Sequence, residues 1–81
     1  MHRSDAEEVL DLRGTPCPMN FVKTKLQLES MQPGERLTVI LDAGQPIKNV
    51  PRSAASEGHT VVRVEAHDEE SYELHLIRGE L

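Results

Sequence analysis

The chain is 81 residues long, which allows a single domain with a small core. Its mean hydropathy is −0.48 and 28% of its residues are charged, and no apolar run approaches the roughly 18 residues that a membrane-spanning helix needs. The net charge of −5 argues against nucleic acid as the main partner, and the single cysteine excludes an internal disulfide.

The start of the chain predicts a leader, a short strand and a turn. Residues 1–8 are polar and acidic and lack the apolar stretch of a signal peptide, so we expect a disordered leader on a cytoplasmic protein. Residues 9–12 alternate weakly in polarity, as a short strand does, and residues 13–16 form a turn. Pro18 then opens a helix, because proline is favoured at the first helical position.

This first helix carries a stripe of apolar or small residues at helical spacing. The stripe predicts the buried face and consists of Phe21, Thr24, Leu28 and Met31. Val22 and Leu26 form a narrower stripe that we expect at the edge of the buried face. The helix stops before a Pro-Gly turn at residues 33–34, and the nearly continuous apolar residues 37–41 predict a central, buried strand.

A second, shorter helix follows a loop at residues 42–46. Pro51 cannot lie deep inside a helix, so the helix begins near Asn49, which is a good N-cap residue, or kinks there. Gly58 is the expected C-cap.

The last part of the chain predicts an antiparallel hairpin of residues 59–66 and 72–78, with its turn at residues 68–70. The expected pairs on one face are Ala66 with Tyr72, Val64 with Leu74, and Val62 with Leu76. The expected residues on the opposite, water-facing side are Arg63, Glu65, Glu73 and His75.

The element order β-α-β-α-β-β predicts the fold class, an α/β (α+β) two-layer sandwich. A right-handed β-α-β start and a terminal hairpin give a mixed four-stranded sheet, and two helices can cover only one of its faces. We expect one domain spanning residues 9–81.

Cys17 is the leading candidate for chemistry. At the N-cap of the first helix its side chain would face the free N–H groups of Met19 and Asn20, since Pro18 has none. These donors and the helix dipole favour a thiolate over a thiol and would lower the pKa of Cys17. From position alone, Cys17 is either such a reagent or a small buried hydrophobe.

The charges are unevenly distributed along the chain. Residues 13–52 hold six cations and three acids, and the remaining residues hold three cations and eleven acids. Arg13 would add positive potential near Cys17, or else is a solvated arginine that fixes the turn. Gly14 is expected to supply a positive φ in that turn. The four histidines lie on separate predicted elements, so we predict no metal site.

Several segments of the chain resemble one family. Residues 10–18 read LDLRGTPCP, which is similar to the D-x-R-G…C-P-x-P signature of the TusA/SirA-like sulfur carrier family. The likeness continues in the segments MQPGE at 31–35, KNVP at 48–51 and Gly-His at 58–59. It covers roughly residues 9 to 78, and length, element order and motif spacing all agree.

The resemblance implies a sulfur relay. Cys17 would accept sulfane sulfur as a persulfide from a cysteine desulfurase or rhodanese-like donor and pass it to an acceptor protein. The destination would be tRNA thiolation, cofactor sulfuration or sulfur oxidation. No metal or organic cofactor is implied, and neither nucleic acid nor membrane is a direct partner. Whether the chain has enzymatic turnover of its own stays open. Met19, and with it Val22 or Leu26, are candidates for an exposed docking surface, although they could equally belong to the core.

Two residues depart from the family pattern: Asn20 replaces the second motif proline and Asn49 replaces an aspartate. Asn20 restores an N–H, so we expect the Cys17 thiolate to be at least as well stabilised as in a C-P-x-P member.

The alternatives to a sulfur carrier are a redox or selenium-related thiol protein and a non-catalytic regulatory interaction domain. A nucleic-acid-binding sheet is disfavoured because stacking aromatic residues are few.

Overall fold

The computed structural model describes residues 7–16 and 18–80, with the backbone alone at residue 7. It contains four strands and two helices in the predicted order. Their bounds are β1 Glu7–Asp11, α1 Met19–Glu29, β2 Arg36–Asp42, α2 Gln45–Ser56, β3 Thr60–Asp68 and β4 Ser71–Ile77. β1 begins two residues before the predicted strand, and residues 1–6 of the predicted leader lie outside the described residues. None of the described helices is long and apolar enough to cross a membrane.

The strands form one mixed sheet in the order β1-β2-β4-β3. β1 pairs with β2 in parallel, and β4 pairs antiparallel with both β2 and β3. The core lies between this sheet and the helices, and its fully buried strand residues are Leu37, Val39, Leu41, Leu74 and Leu76. The predicted α+β sandwich with a mixed four-stranded sheet is therefore confirmed.

The buried face of α1 is the predicted stripe. Thr24 and Leu28 are fully buried, Met31 just beyond the helix is 6% exposed, and Phe21 packs against the core. The second stripe was predicted at the edge of this face, yet Val22 and Leu26 are 39% and 61% exposed. That prediction was wrong, since both side chains point away from the sheet.

The start of α2 corrects the sequence analysis. The helix begins at Gln45, and Asn49 is therefore an interior residue whose Nδ2 donates to Gln45 Oε1 at 3.1 Å. Pro46 sits in the first turn, where a missing N–H costs nothing, and Pro51 lies inside the helix, which continues past it. The predicted end is confirmed within one residue: Glu57 is the C-cap, and Gly58 follows with φ of 100°.

The hairpin has the predicted register near its turn. Ala66 pairs with Tyr72 and Val64 with Leu74, whereas Leu76 pairs with Val61 rather than Val62. The difference arises from an irregularity between Val61 and Arg63, which shifts the register by one residue.

Candidate functional site

The segment that carries Cys17 leaves the sheet at the carboxyl end of β1. The Leu12 N–H donates to the Ile40 carbonyl at 2.9 Å, which extends the β1–β2 pairing by one residue. The Thr15 N–H then donates to the Leu12 carbonyl at 3.1 Å and closes a turn. α1 begins at Met19, four residues after the end of this turn.

Gly14 has the conformation that the sequence analysis expected. Its φ is 80° at the third position of the turn, where a type II turn requires a positive φ. Its N–H donates to Asp42 Oδ2 at the end of β2 over 2.8 Å. Asp42 therefore anchors the turn to the central strand, a contact across 28 residues of sequence.

Arg13 is bound by carboxylates. Its Nε and Nη2 atoms donate to the two Asp11 oxygens at 2.9 and 2.6 Å, and its Nη1 lies 3.6 Å from Asp68 Oδ2. The side-chain hydrogen bond from Arg13 is the main reason that the pKa of Asp11 falls to about 2. These contacts fit the turn-fixing arginine of the sequence analysis, because the guanidinium charge is already paired.

We expect Arg13→Gln to raise the pKa of Asp11 from about 2 toward 3.8. A lowered folded-state pKa stabilises the fold above pH 3.8, and this contribution disappears as the pH falls through about 2. The energy involved is small because both side chains are exposed. NMR titration of the Asp11 carboxyl measures the shift, and Arg63→Gln, on the far strand, serves as a control. An unchanged Asp11 midpoint in Arg13→Gln would refute the assignment.

Cys17 itself lies outside the described residues, between two prolines that are described and exposed. α1 begins at Met19, so Pro18 is its N-cap, with φ −92° and ψ 7°. Pro18 is thus not the first helical residue as predicted, and Cys17 comes one residue before the N-cap rather than at it. The physical reason is the non-helical ψ of Pro18.

Several amides of the first turn of α1 have acceptors among the described residues. Asn20 N–H donates to the Pro16 carbonyl at 3.1 Å. Phe21 N–H donates to Asn20 Oδ1 at 2.6 Å, and Val22 N–H to the Pro18 carbonyl at 3.0 Å. Met19 N–H has no hydrogen-bond acceptor among residues 7–16 and 18–80.

Asn20 instead supports the helix start from inside. Its side chain is fully buried, and its main-chain carbonyl oxygen accepts a hydrogen bond from Thr24 Oγ1 at 2.9 Å. A proline at this position would lack both the amide that bonds to Pro16 and the side-chain oxygen that caps Phe21. Asn20 is therefore part of the packing at the start of α1.

The surface around the segment divides into an acidic groove and an apolar stripe. The acidic groove lies beside Arg13 and is lined by Asp42, Asp68, Glu69, Glu70 and Ser71. The excess of cations in residues 13–52 predicts a positive charge near Arg13, but the surface beside Arg13 is acidic. The reason is that the fold brings acids from distant positions in the sequence to this end of the sheet. A second open groove runs from residues 14–16 to the start of α2 at Gln45 and Pro46.

The apolar stripe consists of Met19, Val22 and Leu26 on the outer face of α1. These side chains are 45%, 39% and 61% exposed, and they lie one helical turn apart, starting two residues after Cys17. The exposed Lys23 lies between them on the helix surface, and Lys25 Nζ lies 3.8 Å from Glu57 Oε1 of α2. Three adjacent exposed apolar residues form a surface suited to contact with another protein.

Comparison with known proteins decides the family. A family model described as sulfurtransferase TusA matches residues 8–78. The chain belongs to the TusA family. One relative of this TusA-family chain is a candidate sulfur carrier protein of Archaeoglobus fulgidus, which is 47% identical over 70 residues. The aligned residues are 86% of this chain and 80% of the relative. Another, the candidate sulfur carrier YedF of Escherichia coli K12, is 38% identical over 56 residues, 69% of this chain and 73% of the relative.

Solved structures of similar shape show the same fold. A SirA-like protein from Desulfitobacterium hafniense has a TM-score of 0.78 at 22% identity, covering 93% of this TusA-family chain and 100% of that protein. A solution structure of a Helicobacter pylori protein has a TM-score of 0.73 at 21% identity and covers 90% and 99% of the two chains. At these identities the likeness establishes the architecture of the TusA-family chain.

Sequence reasoning missed two acids at this end of the TusA-family sheet. Asp42 and Asp68 contact Gly14 and Arg13 from strands that are distant in the sequence, and no local pattern indicates such pairs. The Asp11–Arg13 pair could have been found from the sequence, because the two oppositely charged residues are only two positions apart.

Proposed function

We propose that this protein is a cytoplasmic sulfur carrier in which Cys17 accepts sulfane sulfur as a persulfide and delivers it to an acceptor protein. The observation that carries the proposal is the match of residues 8–78 to the TusA family, with Cys17 in the motif position. The relatives described as candidate sulfur carriers point to the same role. The fold supports it, since the motif turn ends four residues before α1 begins.

The proposed chemistry is two exchanges at sulfur. The Cys17 thiolate attacks the terminal sulfur of a donor persulfide, the donor's cysteine leaves as a thiolate, and Cys17 becomes a persulfide. An acceptor thiolate then attacks the terminal sulfur of this persulfide, and the Cys17 thiolate leaves. Neither exchange needs a cofactor or changes the total oxidation state. The carrier needs only an accessible, ionised cysteine.

The surroundings of residue 17 support such a cysteine in two ways. Pro16, Pro18 and Met19 are all exposed, so the described residues on either side of residue 17 lie at the surface. Met19, whose N–H lies at the positive end of the α1 dipole, comes two residues after residue 17 in the chain, and we propose that this helix end favours a thiolate or persulfide anion at residue 17. Arg13 is already paired with carboxylates, so the helix end, rather than Arg13, is the source of stabilisation that we propose.

Docking of the donor and acceptor is proposed on the apolar stripe of α1. The stripe begins beside the motif, so a protein that covers it brings its own cysteine close to residue 17. We propose a desulfurase or rhodanese-like donor, with Lys23 attracting acidic groups at the rim. The acceptor would use the same surface at a different time, because both must reach the same sulfur.

The test is the intact mass of the protein after incubation with a cysteine desulfurase, cysteine and pyridoxal phosphate. We expect a gain of one sulfur atom that reductant reverses, and no gain in Cys17→Ser. No gain with a Cys17 that iodoacetamide still alkylates would overturn this donor class and favour a redox or selenium-related thiol protein. No gain with a Cys17 that resists alkylation would favour the regulatory interaction domain.

A further inference from the structure

The open face of the sheet holds a cluster of ionisable side chains far from the Cys17 segment. It comprises Glu65 and His67 on β3 and Glu73 and His75 on β4, with one ligand atom each from Glu65, Glu73 and His75 lying within 4.8 Å of one another. Because these histidines lie on separate predicted elements, no metal site was expected from the sequence. The hairpin register brings them together: Glu65 pairs directly with Glu73, and His75 is the next residue on the same face.

We propose that Glu65, Glu73 and His75 bind a divalent transition-metal ion of the Zn²⁺ class. Imidazole nitrogen with carboxylate oxygens is a ligand set that such ions take, and three protein ligands leave one position for solvent. Nothing in the sulfur transfer chemistry uses this face, so the proposal is independent of the proposed function.

The distances suit one ion among the three side chains. His75 Nε2 lies 3.3 Å from Glu73 Oε1 and 3.8 Å from Glu65 Oε1. Two ligand atoms that each lie about 2.0–2.1 Å from a tetrahedral ion are roughly 3.3 Å apart. The Glu73–His75 edge thus already has the length of a tetrahedral edge. Glu65 Oε1 lies farther from His75 Nε2 than such an edge, and a surface glutamate can close this gap by rotating, since its side chain is exposed.

His75 is oriented for the role. Its side chain is 14% exposed, and its Nδ1 lies 3.2 Å from Thr38 Oγ1 on the central strand, itself 6% exposed. With the proton on Nδ1 and donated to Thr38, Nε2 turns its lone pair toward the carboxylates. The Nε2 atom is buried, and no described residue forms a hydrogen bond with it. Such an atom is costly to leave unpaired, and a metal ion would satisfy it.

The carboxylates also favour a cation between them. Like charges directly opposite each other on neighbouring strands repel, as Glu65 and Glu73 do. In each glutamate the Oε2 atom is bound by a neighbouring side chain: Glu65 Oε2 accepts from Arg63 Nε, and Glu73 Oε2 contacts His67 Nδ1 at 2.9 Å. The second oxygen of each glutamate therefore faces His75 as an available anionic ligand.

The experiment is a Zn²⁺ titration of the untagged Cys17→Ser chain in competition with a chromophoric chelator. Removing the thiol excludes it as a ligand, so the outcome does not depend on sulfur chemistry. We expect one Zn²⁺ per chain, and both Glu73→Gln and His75→Gln should weaken binding by more than the roughly 10- to 100-fold that loss of an orienting residue causes. Thr38→Val should weaken it by about tenfold, because it removes only the group that orients His75.

Two matched variants keep the test specific. Glu69→Gln removes a carboxylate in the hairpin turn, outside the cluster, and His2→Gln removes a histidine near the terminal amine. Both should bind Zn²⁺ as the parent does, and amide proton spectra should show each variant folded. Absence of Zn²⁺ binding in the parent, or binding that survives His75→Gln, would overturn the proposal. Loss of binding in His2→Gln would assign the ion to the N-terminus and would equally overturn it.

Discussion

Replacing Val22 by aspartate is expected to slow sulfur loading of Cys17 by about 30-fold, the loss of a hot spot worth ~2 kcal/mol. Val22 is the central member of the apolar stripe on α1 and is 39% exposed. A carboxylate there would be buried unpaired against a docked donor, which is strongly unfavourable. The measurement is the initial rate of persulfide formation with a limiting amount of desulfurase.

Two controls separate docking from other effects of Val22→Asp. The alkylation rate of Cys17 by iodoacetamide, which needs no docking, should stay close to that of the parent if the added charge leaves the thiolate unaffected. Ala55→Asp adds the same charge at an exposed position of α2 and should load normally. Normal loading of a folded Val22→Asp protein would show that donors bind elsewhere.

Leu28→Ala is expected to lower the free energy of unfolding by about 2–5 kcal/mol. Leu28 is fully buried between α1 and the sheet, so its truncation removes apolar contacts and leaves a cavity. A chain of this length is expected to have a stability of only ~4–12 kcal/mol, so the loss is a large fraction of the total. Urea denaturation followed by circular dichroism measures it.

Leu26→Ala is the matched control, since it makes the same truncation two residues away on the same helix. Leu26 is 61% exposed, so we expect a change within about 0.5 kcal/mol. Leu26→Ala should instead slow sulfur loading, because it removes part of the apolar stripe. Equal destabilisation by the two truncations would mean that α1 packs in another orientation.

The parts of the fold that follow from local patterns could be predicted. The spacing of Thr24, Leu28 and Met31 gave the buried face of α1, and alternation paired Val64 with Leu74. The wrong predictions concern the start of α2 and one pair of the hairpin, where the sequence is compatible with two different structures. Pro51 suggested a late start for α2, but Pro46 and Gly44 allow an earlier one. Val62 was paired with Leu76 because strict alternation cannot anticipate a bulge.

The site was predicted less completely than the fold, because it is assembled from distant positions. The motif made Cys17 the candidate for chemistry, which stays a prediction, and the positive φ of Gly14 was predicted because a tight turn requires it locally. The acids that hold the turn, Asp42 and Asp68, come from other strands, so their contacts depend on the sheet order. For the same reason the excess of cations in residues 13–52 does not predict the local charge near Arg13. Acids from the hairpin turn lie beside Arg13 in the folded chain and make this groove acidic.

The position of the added sulfur tests the central claim most directly. After loading by the desulfurase, trypsin cleaves behind Arg13 and Lys23 and releases a fragment of residues 14–23 that contains Cys17. Tandem mass spectrometry should locate one extra sulfur on Cys17, and cyanide should remove it as thiocyanate and restore the thiol. An unmodified Cys17 in protein that has taken up sulfur, or a mass gain that cyanide does not remove, would contradict the account of Cys17 as the carrier.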